Sequence, residues 1–210
     1  MAIQITIVGL GQIGSSIGLA LGKHETTFLR VGHDRDPEVA HKAQKMGAVD
    51  RTMLNLPSAV READVVVLSL PMDQIRDTLG FIAQDLKEGA VVLDTGPVKE
   101  AVAMWAGELL PPGRYYIGLT PVINPEYLHA TDRGLEAARA DLFKQGLLAI
   151  ATPPGTVSEA IKLAADLARL LGAAPLFVDP LEIDSLMSAT HIIPQLLAAA
   201  LLNATVDQPG

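Results

Sequence analysis

Ile3-Gln4-Ile5-Thr6-Ile7-Val8-Gly9-Leu10-Gly11-Gln12-Ile13-Gly14 decides the architecture of this 210-residue chain. Its first six residues read as a strand, because side chains branched at Cβ fit a pleated backbone. The strand stops at a glycine, and residues 13–23 beyond the loop are small and apolar, as a packed helix requires. Glycines in the order Gly-x-Gly-x-x-Gly, between a strand and a helix of one βαβ unit, form a dinucleotide-binding loop. The first permits the tight turn, the second leaves room for a pyrophosphate, and the third lets the helix approach the strand. The helix then offers phosphate its free N–H groups and the positive end of its dipole. Gly9, Gly11, Gln12, Ile13 and Gly14 are therefore candidate cofactor-binding residues.

Residues 28–32 read as a second strand, and Asp34 follows its end. A carboxylate there accepts hydrogen bonds from the adenosine ribose and repels a 2′-phosphate, so NAD is expected rather than NADP. Arg35 beside it, and Arg30 in the strand, are the residues that could instead accommodate that phosphate. The plainer alternative is a structural glycine turn with a solvated aspartate.

The same alternation continues along the chain. Strands are expected at 65–68, 90–94, 115–118, 146–151 and 174–178, with a short one at 48–50. Helices are expected at 37–46 (with proline at its start), 74–85, 98–110 and 157–171, the last capped by Thr156. Residues 153–155 form a turn, and Asp179-Pro180 breaks the chain before an apolar helical stretch at 181–203. The expected fold is α/β, a Rossmann-type doubly wound and mostly parallel sheet over residues 1–179. A short all-helical segment follows at 180–210. Ser69, Leu70 and Pro71, at the carboxyl end of the 65–68 strand, should line the cofactor with Thr95, because open α/β sheets place ligands there.

Composition narrows the possibilities. The hydrophobic fraction is 49%, the mean hydropathy +0.31 and the net charge −8. Such a chain builds a sizeable core and is a poor candidate for nucleic acid or an anionic membrane. With no cysteine there are no disulfides, no thiolate metal sites and no thiol nucleophile, and a cytoplasmic location is expected. The N-terminus lacks the basic residues that open a signal peptide. No uninterrupted apolar run approaches the roughly 18 residues of a membrane span. No metal-ligand spacing and no P-loop motif is readable.

A series of segments in this order and spacing resembles the prephenate and arogenate dehydrogenases of tyrosine biosynthesis. They are Val8 through Gly18, Gly32-His33-Asp34-Arg35, Val67-Leu68-Ser69-Leu70-Pro71, Leu93-Asp94-Thr95-Gly96-Pro97-Val98-Lys99, Ala140-Asp141-Leu142-Phe143, Leu171-Gly172-Ala173 and Ile193-Pro194. The resemblance implies hydride transfer from the substrate ring to NAD(P), followed by decarboxylation to a 4-hydroxyphenyl product. It also implies a catalytic His assisted by Ser, cations for the substrate carboxylates, and a longer helical domain that completes the site and dimerises.

The chemical positions of that family are the ones that differ. Pro97 stands at the family's Ser, and Thr120, in Gly118-Leu119-Thr120-Pro121, stands at the catalytic His. The His-Asp pair reads Ile183-Asp184, and His191 falls at the Ser of a Ser-His-Leu-Pro-His stretch. Thr120 cannot act as a general base near neutral pH, and no Lys or Arg follows Arg169. Lys99, Arg114 and Arg133 are the cations left for substrate carboxylates.

Three residues are candidates for catalysis: Thr120, His191 and Lys99. His191 has a reference pKa suited to a base, although a lone His on an apolar helix can equally be a packed core residue. His129 is a weaker candidate of the same kind. Lys99 could act as an acid or electrophile, or form a structural ion pair with Asp94 or Glu100. Asn124 could bind a substrate carbonyl or only stabilise its turn. His24, His33 and His41 read as surface residues. The apolar helix 186–202 should be covered by a second copy, giving a homodimer. Besides the dehydrogenase just described, two alternatives stand: a dehydrogenase for another small substrate, and a catalytically impaired NAD-binding or sensing protein.

Overall fold

In a computed structural model, residues 3–24 and 28–206 are described. The end of the expected helical segment, 207–210, lies outside them. Strand β1 (Ile3–Val8) is central, and helix α1 (Gln12–Leu21) follows it across the glycine loop. Next come β2 (Phe28–His33), α2 (Pro37–Lys45), β3 (Arg51–Thr52), α3 (Leu56–Val60), β4 (Val65–Leu68) and α4 (Met72–Ile82). After them lie β5 (Val91–Asp94), α5 (Glu100–Leu109), β6 (Tyr115–Val122), β7 (Leu147–Ala151), α6 (Ser158–Leu170) and β8 (Ala174–Val178). The chain continues through α7 (Pro180–Met187), a π-helical turn at Ser188–Ile192, and α8 (Ile193–Val206).

The eight strands form one sheet in the order β3-β2-β1-β4-β5-β6-β7-β8. All neighbours are parallel except β6 and β7, which run antiparallel with Thr120 opposite Ala149. The strand order reverses between β1 and β4, which makes their carboxyl ends the natural ligand crevice.

Side-chain alternation along β4 shows why both faces are covered. Val65 and Val67 belong to the cluster that holds Ile17 and Leu21 of α1 and Leu167 of α6. Val66 and Leu68 belong to the opposite cluster, with Ile75 and Leu79 of α4 and Val102 of α5. An unbroken apolar run therefore becomes a strand buried on both sides.

Three local expectations are corrected. Ala48 and Val49 are buried but not in a strand; the Ala48 amide returns to Ala43 O and closes α2, so the ladder starts later, at Arg51. Thr156 does not cap α6: its hydroxyl donates to Pro153 O, within its own turn, and Val157 occupies the cap position without a side-chain bond. Helix α3, absent from the sequence reading, is short and begins with Asn55 accepting from the Ser58 amide.

The C-terminal helix also exceeds expectation. Pro180–Val206 runs for 27 residues and contains an 18-residue window with a mean hydropathy of 1.5, long and apolar enough by length and composition to cross a membrane. Counting uninterrupted apolar residues missed this, because Gln195 and the acids of its first turns interrupt the run.

Candidate functional site

The glycine loop closes on its neighbours through its backbone. Gly9 donates its amide to His33 O at 2.9 Å, and the Leu10 amide donates to Asp34 Oδ2 at 2.8 Å. Gly9 has φ +91°, and a Cβ there would lie 2.2 Å from Ser69 O. At Gly14 a Cβ would lie 2.0 Å from Gly9 O. Both positions exclude any side chain, for the protein's own sake. Gly11 differs, because a Cβ there would meet nothing within 4 Å. Its missing side chain serves the open space in front of it.

That space is a cleft of 540 Å³ beyond the carboxyl ends of β1, β2 and β4. Gly9, Gly11, Asp34, Arg35, Ser69, Leu70 and Pro71, all candidates from the sequence, line it together. Gln12 and Ile13 form the first turn of α1 behind the loop, where the earliest helical amides lack intrahelical acceptors. Thr95 stands just outside, its hydroxyl 3.4 Å from Ser69 Oγ. The cleft suits a dinucleotide: open space at the second glycine, helix amides for phosphate, and a carboxylate for the ribose.

Asp34 Oδ1 accepts the Asp36 amide and Oδ2 the Leu10 amide, which fixes the carboxylate while leaving lone pairs on both oxygens. Arg30 is occupied elsewhere: its guanidinium pairs with Asp50 and donates to Gly18 O and Gly47 O. Burial raises the Asp50 pKa, but the hydrogen bonds and charge of Arg30 outweigh it, and the net shift is downward. Among the described residues lining the cleft, Arg35 is the Lys or Arg that could meet a 2′-phosphate.

Several lining residues had no sequence signal. His33 was read as surface, yet it lines the cleft with Nδ1 2.9 Å from Met53 O. Leu56 of α3, Gln74 and Thr78 of α4, and Gly134 and Leu135 of a short turn between β6 and β7 are brought together by the fold.

Beside the cleft lies a buried polar cluster. Lys99 Nζ donates to Asp94 Oδ1 at 2.7 Å, with the two side chains 1% and 0% exposed. Asp94 Oδ1 also accepts the Gly96 amide, and Oδ2 accepts the Tyr116 hydroxyl at 2.6 Å. Burial pushes the Asp94 carboxyl up and the Lys99 ammonium down from their usual values, against their mutual attraction. Burial and the adjacent Asp94 raise the Tyr116 phenol, which stays protonated. The ion pair expected for Lys99 is therefore with Asp94 rather than Glu100.

Asp184 caps α5 from a distance. Its Oδ1 accepts the Lys99 amide at 2.6 Å and its Oδ2 the Glu100 amide at 2.9 Å. This joins α7 to the end of β5, and Ile183 and Met187 of the same segment pack on Ala149 and Ala151 of β7. Asp184→Ala should cost about 0.5–2 kcal/mol, the usual range for a lost helix cap. A lowered thermal midpoint in circular dichroism is the expected result.

Thr120 is 5% exposed and its hydroxyl has no hydrogen-bond partner among the described residues. It stands on the same face of β6 as Tyr116 and Gly118. Asn124 is buried and accepts the Glu126 amide, the turn-stabilising role. His191 is exposed in the π turn, not a packed core residue, and lines none of the cavities described; His129 is also exposed. Arg114 sits before β6, at the opposite end of the sheet, and is occupied by Leu86 O and Pro112 O, so it cannot serve a ligand in the crevice.

The family model for the nucleotide-binding domain of prephenate dehydrogenase matches residues 17–176. The match starts beyond the glycine loop, whose assignment therefore rests on its geometry. A prephenate dehydrogenase of Lactococcus lactis is 30% identical over 201 residues, covering 95% of this chain and 53% of the relative. One of Bacillus subtilis is 27% identical over 202 residues, covering 96% and 53%. The chain thus spans about half the length of these relatives. Among solved structures, prephenate dehydrogenase from A. aeolicus, in complex with hydroxyphenyl propionate and NAD+, superposes with a TM-score of 0.87 at 21% identity. The overlap covers 100% of this chain and 71% of that one.

Proposed function

Because this chain belongs to the family of prephenate dehydrogenase nucleotide-binding domains, we propose that it binds NAD(H) in the cleft and oxidises a prephenate- or arogenate-like cyclohexadienyl substrate. The observation that carries the cofactor half is Asp34, held by two backbone amides at the cleft wall. When bound, NAD+ accepts a hydride from the substrate ring. The ring carboxylate then leaves as carbon dioxide, its bonding electrons aromatising the ring.

In this reading Gly11 and the α1 amides receive the pyrophosphate, Asp34 the adenosine ribose, and Ser69 to Pro71 the wall beyond. Thr120 offers its unfilled hydroxyl to the substrate as a hydrogen-bonding group. His191 takes the part of proton acceptor towards the ring hydroxyl. Lys99 contributes the positive member of the Asp94 pair. The hydroxyl of Thr120, which does not titrate near neutrality, equally supports a second reading: NAD binding without this turnover, or with a different small substrate.

Absorbance of NADH discriminates them. Release of NADH from NAD+ with prephenate or arogenate is the expected result. Binding of NAD+ without turnover on either compound leaves the second reading, and no binding defeats both. Asp34→Ala should weaken NAD binding about tenfold, one hydrogen-bonded group's worth, while leaving NADP binding nearly unchanged. Equal losses by calorimetry would refute the ribose assignment.

The apolar helix supplies the partner. Leu196, Leu197, Leu201 and Leu202 are each more than 60% exposed in the single chain. A patch of that kind is buried by association, and a second copy is the proposed cover, in a cytoplasmic homodimer. Light scattering should give twice the chain mass at micromolar concentration. The Leu197→Glu, Leu201→Glu double variant should give a monomer.

A further inference from the structure

The π-helical turn at Ser188–Ile192 carries a side-chain arrangement that bears on the tautomer of His191. Within it the Ile193 amide reaches back to Ser188 O, a five-residue span. Such single turns inside longer helices often mark functional positions. Thr190 Oγ1 lies 2.7 Å from Leu186 O, and His191 Nδ1 lies 2.8 Å from the same hydroxyl. A carbonyl oxygen cannot donate, so two oxygens at that distance require the hydroxyl proton between them. A threonine hydroxyl carries one proton. With it given to Leu186 O, the contact to His191 is closed only by a proton on Nδ1.

We propose that Thr190 is a positioning residue for His191, holding its neutral ring as the Nδ1–H tautomer with Nε2 as the free acceptor. This rests on the reading of His191 as proton acceptor. Nε2 is on the side of the ring away from Thr190, and the exposed position of His191 leaves it open to a substrate hydroxyl. In the turns before it, Ile183 and Met187 pack beside Ala149, the partner of Thr120 across β6 and β7. The ring is thus held in the tautomer whose Nε2 can accept a proton. A hydroxyl alone performs this task, so serine at 190 suffices and valine, its isostere without a donor, does not.

Long-range 1H–15N NMR of the full chain reads the tautomer directly, at a pH about two units above the ordinary histidine value of about 6.5. The His191 signals are assigned by their loss in His191→Asn. Wild type and Thr190→Ser should show Nδ1 protonated and Nε2 bare. In Thr190→Val the Nδ1–H share should fall to a minority, and kcat should fall about tenfold with KM unchanged. A wild-type ring protonated on Nε2, or a Thr190→Val spectrum equal to wild type, overturns the proposal. Activity that survives His191→Asn refutes the catalytic reading of His191 instead, and the spectra still decide what Thr190 does.

Discussion

Replacing Lys99 with methionine is expected to cost about 3–5 kcal/mol of stability, the range for removing one partner of a buried ion pair. The reason is what stays behind. Asp94 is 0% exposed and keeps two donors, the Gly96 amide and the Tyr116 hydroxyl, but loses its only counter-charge among the described residues. Urea denaturation at neutral pH should show the loss in its midpoint with an unchanged slope. The variant should also acquire a particular pH dependence. Burial raises the folded-state pKa of Asp94 above its unfolded value, and without the ammonium that rise is larger. The folded state then binds the proton more tightly than the unfolded one, so stability falls as pH rises through that interval. Lys99→Met should therefore approach wild type in acid and depart from it towards neutrality. The double variant Asp94→Leu, Lys99→Met removes both charges and should recover much of the loss, since an apolar replacement leaves no charge stranded. Equal losses for single and double variants would show that the pair is not a coupled unit.

The second large effect separates the glycines of the loop. Gly14→Ala puts a methyl group 2.0 Å from Gly9 O, and both atoms belong to the loop proposed to hold the phosphates. The backbone must part, at about 1–3 kcal/mol of stability, and the amides proposed to receive the pyrophosphate move with it. Affinity for NADH should fall about a hundredfold, equivalent to about 2.7 kcal/mol. Gly11→Ala is the control, because its methyl group meets no protein atom within 4 Å. Its thermal midpoint should stay at the wild-type value while NADH binding weakens about tenfold. Unchanged binding in Gly11→Ala would mean that the pyrophosphate does not pass this loop.

These two sites show what can be read from a sequence and what cannot. The turn from Gly9 to Gly14, with Asp34 past the next strand end, was legible because a glycine pattern between a strand and a helix dictates backbone shape locally. Ser69 to Pro71 were legible because strand ends in a parallel sheet are ligand positions. Asp184 was noticed only as half of a family pair, since its role depends on α7 meeting α5 across 84 positions of sequence. His33 was taken for surface because nothing in its neighbours reveals that the crevice opens beside it. Arg30 had been a possible phosphate ligand until Asp50 claimed it. Val49 misled for a different reason: a buried β-branched residue signals a strand only where the backbone is also paired, and here the Ala48 amide closes a helix instead.

The cap that Asp184 places on α5 gives the molecule an internal reporter. The amides of Lys99 and Glu100 are bonded only while α7 is docked. Their hydrogen exchange therefore measures detachment of the C-terminal helix rather than unfolding of the sheet. Amides in β5 should exchange only through global opening, so the difference between the two sets is the free energy of keeping α7 in place. During synthesis the same two amides stay open until residue 184 emerges, so the completion of α5 waits for α7.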